Sequence, residues 1–282
     1  LLPIDAISSI NAIKNAVESG RITEERIDQS VAKILNLKEN AGLFNNQGFP
    51  NWSDIEELIG SSDHKKIAKK VTAESITLVK DDKNMVPIKP EKIKKLCHII
   101  LSVDDNAKDY LKNFSRDISR TVNNTTEIFI NYELDDYLIK KTIDKASKSD
   151  VIVVSSLVRI RMDKGVSTIA PSHLDFLRQL KQKTNKPILL VSFGSPYIDS
   201  YDYFDAYIAT YGYGPVSVKA AANAIFGREK ISGKLPIDLN SIYKKGVGLK
   251  RSKRTSEFIR KDNNQYNLKP AFAVIDSAIN NN

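Results

Sequence analysis

The 282-residue chain is 41% hydrophobic and 27% charged, with a formal net charge of +9, the profile of a globular protein long enough for one large or two modest cores. These values exclude a disordered chain, a collagen and a disulfide scaffold, and the single cysteine, Cys97, excludes an internal bridge or a cysteine-based zinc site. No apolar run is long enough to span a bilayer, and no basic-then-apolar signal opens the chain.

Ile7, Ile10, Ile13 and Val17 recur at helical spacing and predict a helix over residues 5–19, with Gly20 as a left-handed cap. Thr23 is a good N-cap, Glu24 and Glu25 suit the positive end of a helix dipole, and Ile27, Val31, Ile34 and Leu35 form the apolar face of a second helix closing near Gly42. The two helices have no strands of their own, so Ile7, Ile10, Val31 and Ile34 are expected to be exposed unless another segment covers them. Residues 45–53 are turn-rich and mark a domain boundary.

A third helix is predicted from near Asp63, with Ile67, Ala68 and Val71, leading into a short strand at Thr77, Leu78 and Val79 and a turn over 81–84. Apolar β-runs follow at 96–103, 128–130, 151–157, 188–193 and 206–210. Helical patterns lie between most of them, notably at 134–146 and 172–183. This alternation predicts an α/β fold, a mainly parallel sheet with helices on both faces.

The positive charge is local. Nine Lys and Arg stand against two acidic residues between Ser241 and Pro270, a net +7 in a stretch with little apolar periodicity, which reads as a solvated basic linker. The open alternative is a polyanion-binding arm, although nothing in the stretch tracks a phosphate backbone or reaches bases. Gly212-Tyr213-Gly214 sits where a phosphate loop belongs but lacks the third glycine, and Pro215 at a first helical position accounts for the pattern. Ser30 and Lys33 match a serine-enzyme spacing without its partner motifs. His64, His98 and His173 are too scattered for a metal site, and His98 and Cys97 read as satisfied strand residues. Tyr197, Tyr201, Tyr203, Phe204, Tyr207, Tyr211 and Tyr213 read as core and edge packing. The loop 158–171 is the stronger candidate. It leaves the carboxyl end of a parallel strand, where such sheets present ligand-binding loops, and carries Arg159, Arg161, Asp163 and Lys164 around Gly165.

Four ordered blocks carry a family resemblance. The run from Ser19 to Asp28, continuing to Ala41-Gly42-Leu43-Phe44, resembles the end of the (β/α)₈ barrel of family-3 glycoside hydrolases. Ala73 to Lys80, followed by Met85-Val86-Pro87-Ile88, resembles the opening of that family's C-terminal α/β sandwich. Ser192-Phe193-Gly194-Ser195-Pro196-Tyr197 is similar to a strand end of the sandwich, and the blocks Ala209 to Gly212, Ala221 to Gly227 and Ile231 to Ile237 resemble its close. Phe272 to Ser277 is weakly similar to the first helix of a serine β-lactamase-like domain.

The resemblance implies trailing barrel helices at 1–44, a linker at 45–62, an α/β sandwich at 63–242, a basic linker at 243–270 and the start of a further serine hydrolase-like domain at 271–282. It also implies a retaining exo-β-glycosidase in which a carboxylate attacks the anomeric carbon and an acid protonates the leaving oxygen. In the family the nucleophile lies upstream of the block matched by Leu1-Leu2-Pro3. The β-glucosidase branch takes its acid/base Glu from the loop matching 158–171, which has no Glu here, and an Arg cannot donate a proton. The β-N-acetylhexosaminidase branch, which uses an upstream His, is therefore the better match. The expectation is a piece of an enzyme acting on an oligosaccharide or glycan, with no catalytic residue in this chain, no cofactor, no metal, no nucleic acid and no membrane span, and with a bacterial periplasmic or secreted location. Arg159, Arg161, Asp163 and Lys164 would lie near substrate. The alternative is a stand-alone α/β binding module for a polyanion or nucleotide.

Overall fold

The computed structural model describes residues 3–45, 52–131, 134–161, 165 and 167–254. The chain divides into two compact units, residues 1–64 and 65–282.

In the first unit, α1 (Ala6–Glu18) starts at Asp5, whose carboxylate accepts the Ile7 and Ser8 amides at 3.0 and 3.3 Å. It is followed by Gly20 at φ +73°. In α2 (Glu24–Asn40) Thr23 Oγ1 accepts the Arg26 amide at 3.2 Å, and Gly42 follows at φ +72°. Both caps fall where the sequence places them. Ile7, Ile10, Val31 and Ile34 are exposed, and Ala16 is the buried residue of the pair. A short helix, α3 (Trp52–Leu58), lies within the stretch 45–62 read from sequence as a linker. Asp54 in its first turn favours it, and the Gly, Pro and Asn residues just upstream mask it in the sequence. The division point falls within α4 (Ser62–Ser75).

The second unit is built on six strands: β1 (Thr77–Asp81), β2 (Leu96–Leu101), β3 (Thr125–Ile130), β4 (Val151–Val158), β5 (Ile188–Gly194) and β6 (Ala206–Ala209). Their order across the sheet is β1-β6-β5-β4-β2-β3, with β1 antiparallel to β6 and every other pair parallel. The helices are α5 (Ala107–Thr121), α6 (Asp136–Ser147), α7 (Pro171–Thr184) and α8 (Pro215–Ile225). The predicted α/β fold, mainly parallel with helices on both faces, is the fold observed.

Every residue of β2 and β4 is buried, as a sheet covered on both faces requires. Leu96, Ile100, Val153 and Leu157 pack with Leu111, Phe114 and Ile118 of α5 and Val218, Ala221 and Ile225 of α8. Cys97, Ile99, Ile152 and Val154 pack with Ile143 and Ala146 of α6 and Phe176, Leu177 and Leu180 of α7 on the other face. Each buried Leu, Ile, Val or Phe side chain contributes about 1.5–3 kcal/mol through burial, so these two layers dominate the stability of the unit.

The stretch beginning at 243, read from sequence as a solvated linker, is structured as far as Arg254. Leu249 pairs with Leu78 and Arg251 with Ile231 in antiparallel bridges. A Cβ on Gly248 would lie 2.2 Å from the Gly233 carbonyl oxygen, so the two backbones approach closely. The Arg251 Nη2 donates to the fully buried Asp81 carboxylate at 2.8 Å and its Nε to the Val86 carbonyl at 2.8 Å. Arg254 pairs with Glu91 at 2.7 Å and Lys244 with Asp238 at 3.1 Å. These side chains that looked like a basic arm are neutralised locally. Residues 255–282, including the weak serine hydrolase-like block, lie outside the described residues.

Candidate functional site

The carboxyl ends of β2, β4, β5 and β6 lie side by side, and the loop after β4 is held at both of its stems. At the outgoing stem, Gly194 closes β5 at φ +84°, and a Cβ there would meet the Val158 carbonyl oxygen at 2.2 Å. Only glycine lets the two strand ends approach so closely. The Ser195 amide then donates to that same Val158 oxygen at 3.0 Å. At the returning stem, Ser195 Oγ donates to the Ser167 carbonyl, and Thr168 Oγ1 donates to the Tyr197 carbonyl at 3.0 Å. Ser192 Oγ, donating to the Ser195 carbonyl at 2.6 Å, fixes the turn between them.

Arg159 is clamped at the start of the loop. Its Nη1 donates to the Asp104 carboxylate, just past β2, at 2.9 Å. Its guanidinium lies 5.5 Å from the Tyr110 ring on α5 and 5.7 Å from the Tyr213 ring before α8, two rings that meet edge-on at 5.3 Å. A guanidinium beside two aromatic rings gains from both. Burial would raise the Asp104 carboxyl, but Arg159 and the Asn106 amide outweigh it and hold the group below the usual carboxylate range. One side chain thus joins segments that follow β2, β4 and β6.

Of the four loop residues singled out by sequence, Arg159 is committed to this clamp and Arg161 is exposed. Asp163 and Lys164 lie outside the described residues. Asp104, Tyr110 and Tyr213 were missed as members of the site. Tyr213 stood in the aromatic run and in Gly212-Tyr213-Gly214, whose reading as a helix entrance is confirmed by Gly214 at the N-cap and Pro215 in the first turn of α8.

The other candidates resolve into packing. His98 is fully buried, with Nε2 2.8 Å from Ser155 Oγ, and Nδ1 3.4 Å from Ser115 Oγ and 3.7 Å from Glu127. Burial pushes the Cys97 thiol up to about 11, which leaves it unreactive. Tyr201, Phe204 and Tyr207 are buried, and Tyr207 donates to the Pro196 carbonyl at 2.6 Å. Ser30 lies within α2 and accepts from Arg26 at 2.6 Å. Among the described residues no cluster of His, Cys, Asp and Glu is arranged to hold a metal, and no helix is long and apolar enough to cross a membrane.

Comparison with known proteins agrees with this architecture. Residues 76–272 match the model of the glycosyl hydrolase family 3 C-terminal domain. The chain is 26% identical over 272 residues to a lysosomal beta glucosidase of Dictyostelium discoideum, covering 84% of this chain and 33% of that protein. It is 25% identical over 253 residues to a beta-N-acetylglucosaminidase/beta-glucosidase of Cellulomonas fimi, covering 80% and 41%. A periplasmic beta-glucosidase of Salmonella typhimurium is 25% identical over 267 residues, covering 78% and 35%. The chain therefore spans between a third and about two-fifths of the length of these relatives. Among solved structures, a family 3 beta-N-acetylglucosaminidase from Paenibacillus superposes with a TM-score of 0.56 at 20% identity, covering 82% of this chain and 42% of that one. A beta-glucosidase from Listeria innocua in complex with glucose gives 0.58 at 18%, covering 80% and 33%. With an α/β sheet of the predicted kind and a family model matched over most of its length, this chain belongs to glycoside hydrolase family 3, as a carrier of its C-terminal domain.

Proposed function

We propose that this chain supplies the C-terminal α/β portion of a retaining, exo-acting glycoside hydrolase that removes terminal β-linked N-acetylglucosamine or glucose. The nucleophile and the proton donor belong to another part of the same polypeptide. The α/β unit holds the loop after β4 near the substrate without moving the proton. The observation that carries this reading is the makeup of that loop. It offers Arg159, Arg161, Asp163 and Lys164 and, unlike the loop of the β-glucosidase branch, no glutamate, and a guanidinium binds hydroxyls and carbonyls but does not act as an acid at neutral pH. Asp104, the described carboxylate at the loop's base, is ion-paired to Arg159 and held in its charged form, so it is not a proton donor either.

The N-acetylglucosamine reading is preferred over glucose because the loop lacks the glutamate, and the dual name of the Cellulomonas relative is consistent with either sugar. The name of the periplasmic Salmonella relative supports placing the parent enzyme outside the cytoplasm. The test is turnover of aryl β-N-acetylglucosaminide and aryl β-glucoside by the purified 282-residue chain. No hydrolysis above a blank is expected, and turnover by the chain alone would mean that the chemistry resides within it.

A further inference from the structure

Beneath the returning stem of the loop after β4, a small recess opens between the ends of β2 and β4 and the start of α7. It measures about 10 Å³ and is lined by Ser102, Ser156, Ile169 and His173 among others, room for one water-sized group. Ser156 faces the α7 side of the sheet and is 1% exposed. Its Oγ is the one buried side-chain polar atom without a hydrogen-bond partner among the described residues. Buried hydroxyls are almost always partnered, since an unpaired one carries its full desolvation cost.

His173 supplies the complementary group. Its Nε2 lies 2.7 Å from the Asn131 carbonyl oxygen, which can only accept, so Nε2 carries the proton. Burial lowers the His173 pKa, against the opposing hydrogen bond that the ring donates to the Asn131 carbonyl, and keeps the ring neutral. Nδ1 is then unprotonated and can act as an acceptor. Among the described residues no carboxylate, lysine or arginine lines the recess. The lone pair disfavours an anion, and the lack of a carboxylate disfavours a cation. The Ser102 and Thr168 hydroxyls on its wall already donate to the Leu157 and Tyr197 carbonyls, so what suits the Ser156 hydroxyl and the His173 lone pair is a neutral group that both donates and accepts.

We propose that this recess is a hydroxyl-binding site, taking one water molecule or the terminal hydroxyl of a small alcohol, which bonds Ser156 Oγ and donates to His173 Nδ1. Such a guest links the end of β4 to the first turn of α7 under the loop. The site is independent of the proposed glycosidase activity.

The test uses the full 282-residue chain with methyl-labelled Ile and Val. Intermolecular magnetisation transfer from water to the Ile169 and Val158 methyls is expected, with the His173 Nδ1 nitrogen shifted as for a hydrogen-bonded acceptor. Adding labelled methanol separates the two sources. Persistence of the water signals marks a water site, and replacement by methanol signals marks a site open to alcohols; either outcome supports the proposal. Absence of both signals overturns it. Ser156→Ala gives a second reading by sign. Loss of a bound partner should lower Tm by about 2–4 °C, whereas a rise in Tm would mean that the hydroxyl was unsatisfied and the recess takes no guest.

Discussion

The guanidinium of Arg159 bonds the Asp104 carboxylate at 2.9 Å across the carboxyl ends of two neighbouring strands, and this pair sets where the loop after β4 begins. Arg159 is therefore a positioning residue, with the Tyr110 and Tyr213 rings beside it. Replacing it by Lys keeps the charge but loses the planar guanidinium and its fixed fork of donors. Arg159→Lys and Arg159→Ala should each speed amide hydrogen exchange at residues 103–106 and 160–161 by about three- to tenfold, leaving β5 unchanged. Equal exchange in wild type and Arg159→Ala would show that the stem is fixed by other contacts.

The Asp81–Arg251 pair locks the segment past 243 onto the sheet. Asp81 is fully buried and also accepts the Met85 and Val86 amides at 2.8 and 3.2 Å. Asp81→Ala strands all of these donors and should cost about 3–5 kcal/mol, read as a shift in the urea unfolding midpoint. Arg251→Ala leaves the buried carboxylate without its cation and should cost a similar amount. A cost below about 1 kcal/mol in both variants would mean that the segment is loosely attached.

Acid should weaken the edge of the sheet through Glu127. The His98 ring beside it, helped by Ser115 and opposed by burial, holds the Glu127 carboxyl down to about 2 from an ordinary 4.5. Because the folded value is the lower one, the stabilisation is complete above pH 4.5 and is lost as pH falls from there toward 2. The thermal midpoint of wild type should fall faster than that of Glu127→Gln between pH 5 and pH 3. Parallel curves for the two proteins would remove Glu127 from the acid response.

Much of this fold is legible in the sequence because its signals are local. The Asp5 side of α1, the Thr23 cap, the Gly20 and Gly42 exits and the apolar runs of β2, β4 and β5 each depend on neighbours a few residues away. The helix α5 was there to be read in Leu111, Phe114, Ser115 and Ile118, four buried residues at helical spacing set among charges. What stayed hidden depends on distant partners. Arg251 looks like a solvent charge until Asp81, 170 positions upstream, is brought to it. Arg159 was visible as a loop residue, but its clamp draws on two other segments, those that follow β2 and β6, and no spacing rule joins Asp104, Tyr110 and Tyr213 to it.

The most direct measurement is the pH–rate profile of Arg161→Ala in the complete parent enzyme, since Arg161 is the exposed guanidinium of the clamped loop. If the loop contacts substrate without moving the proton, kcat/KM should fall about 10- to 100-fold, equivalent to about 1.4–2.7 kcal/mol of lost transition-state contact. The acid and base limbs of the profile should stay where they were. A displaced limb would place the loop in the proton chemistry, and wild-type kinetics would leave it a solvated surface with no part in catalysis.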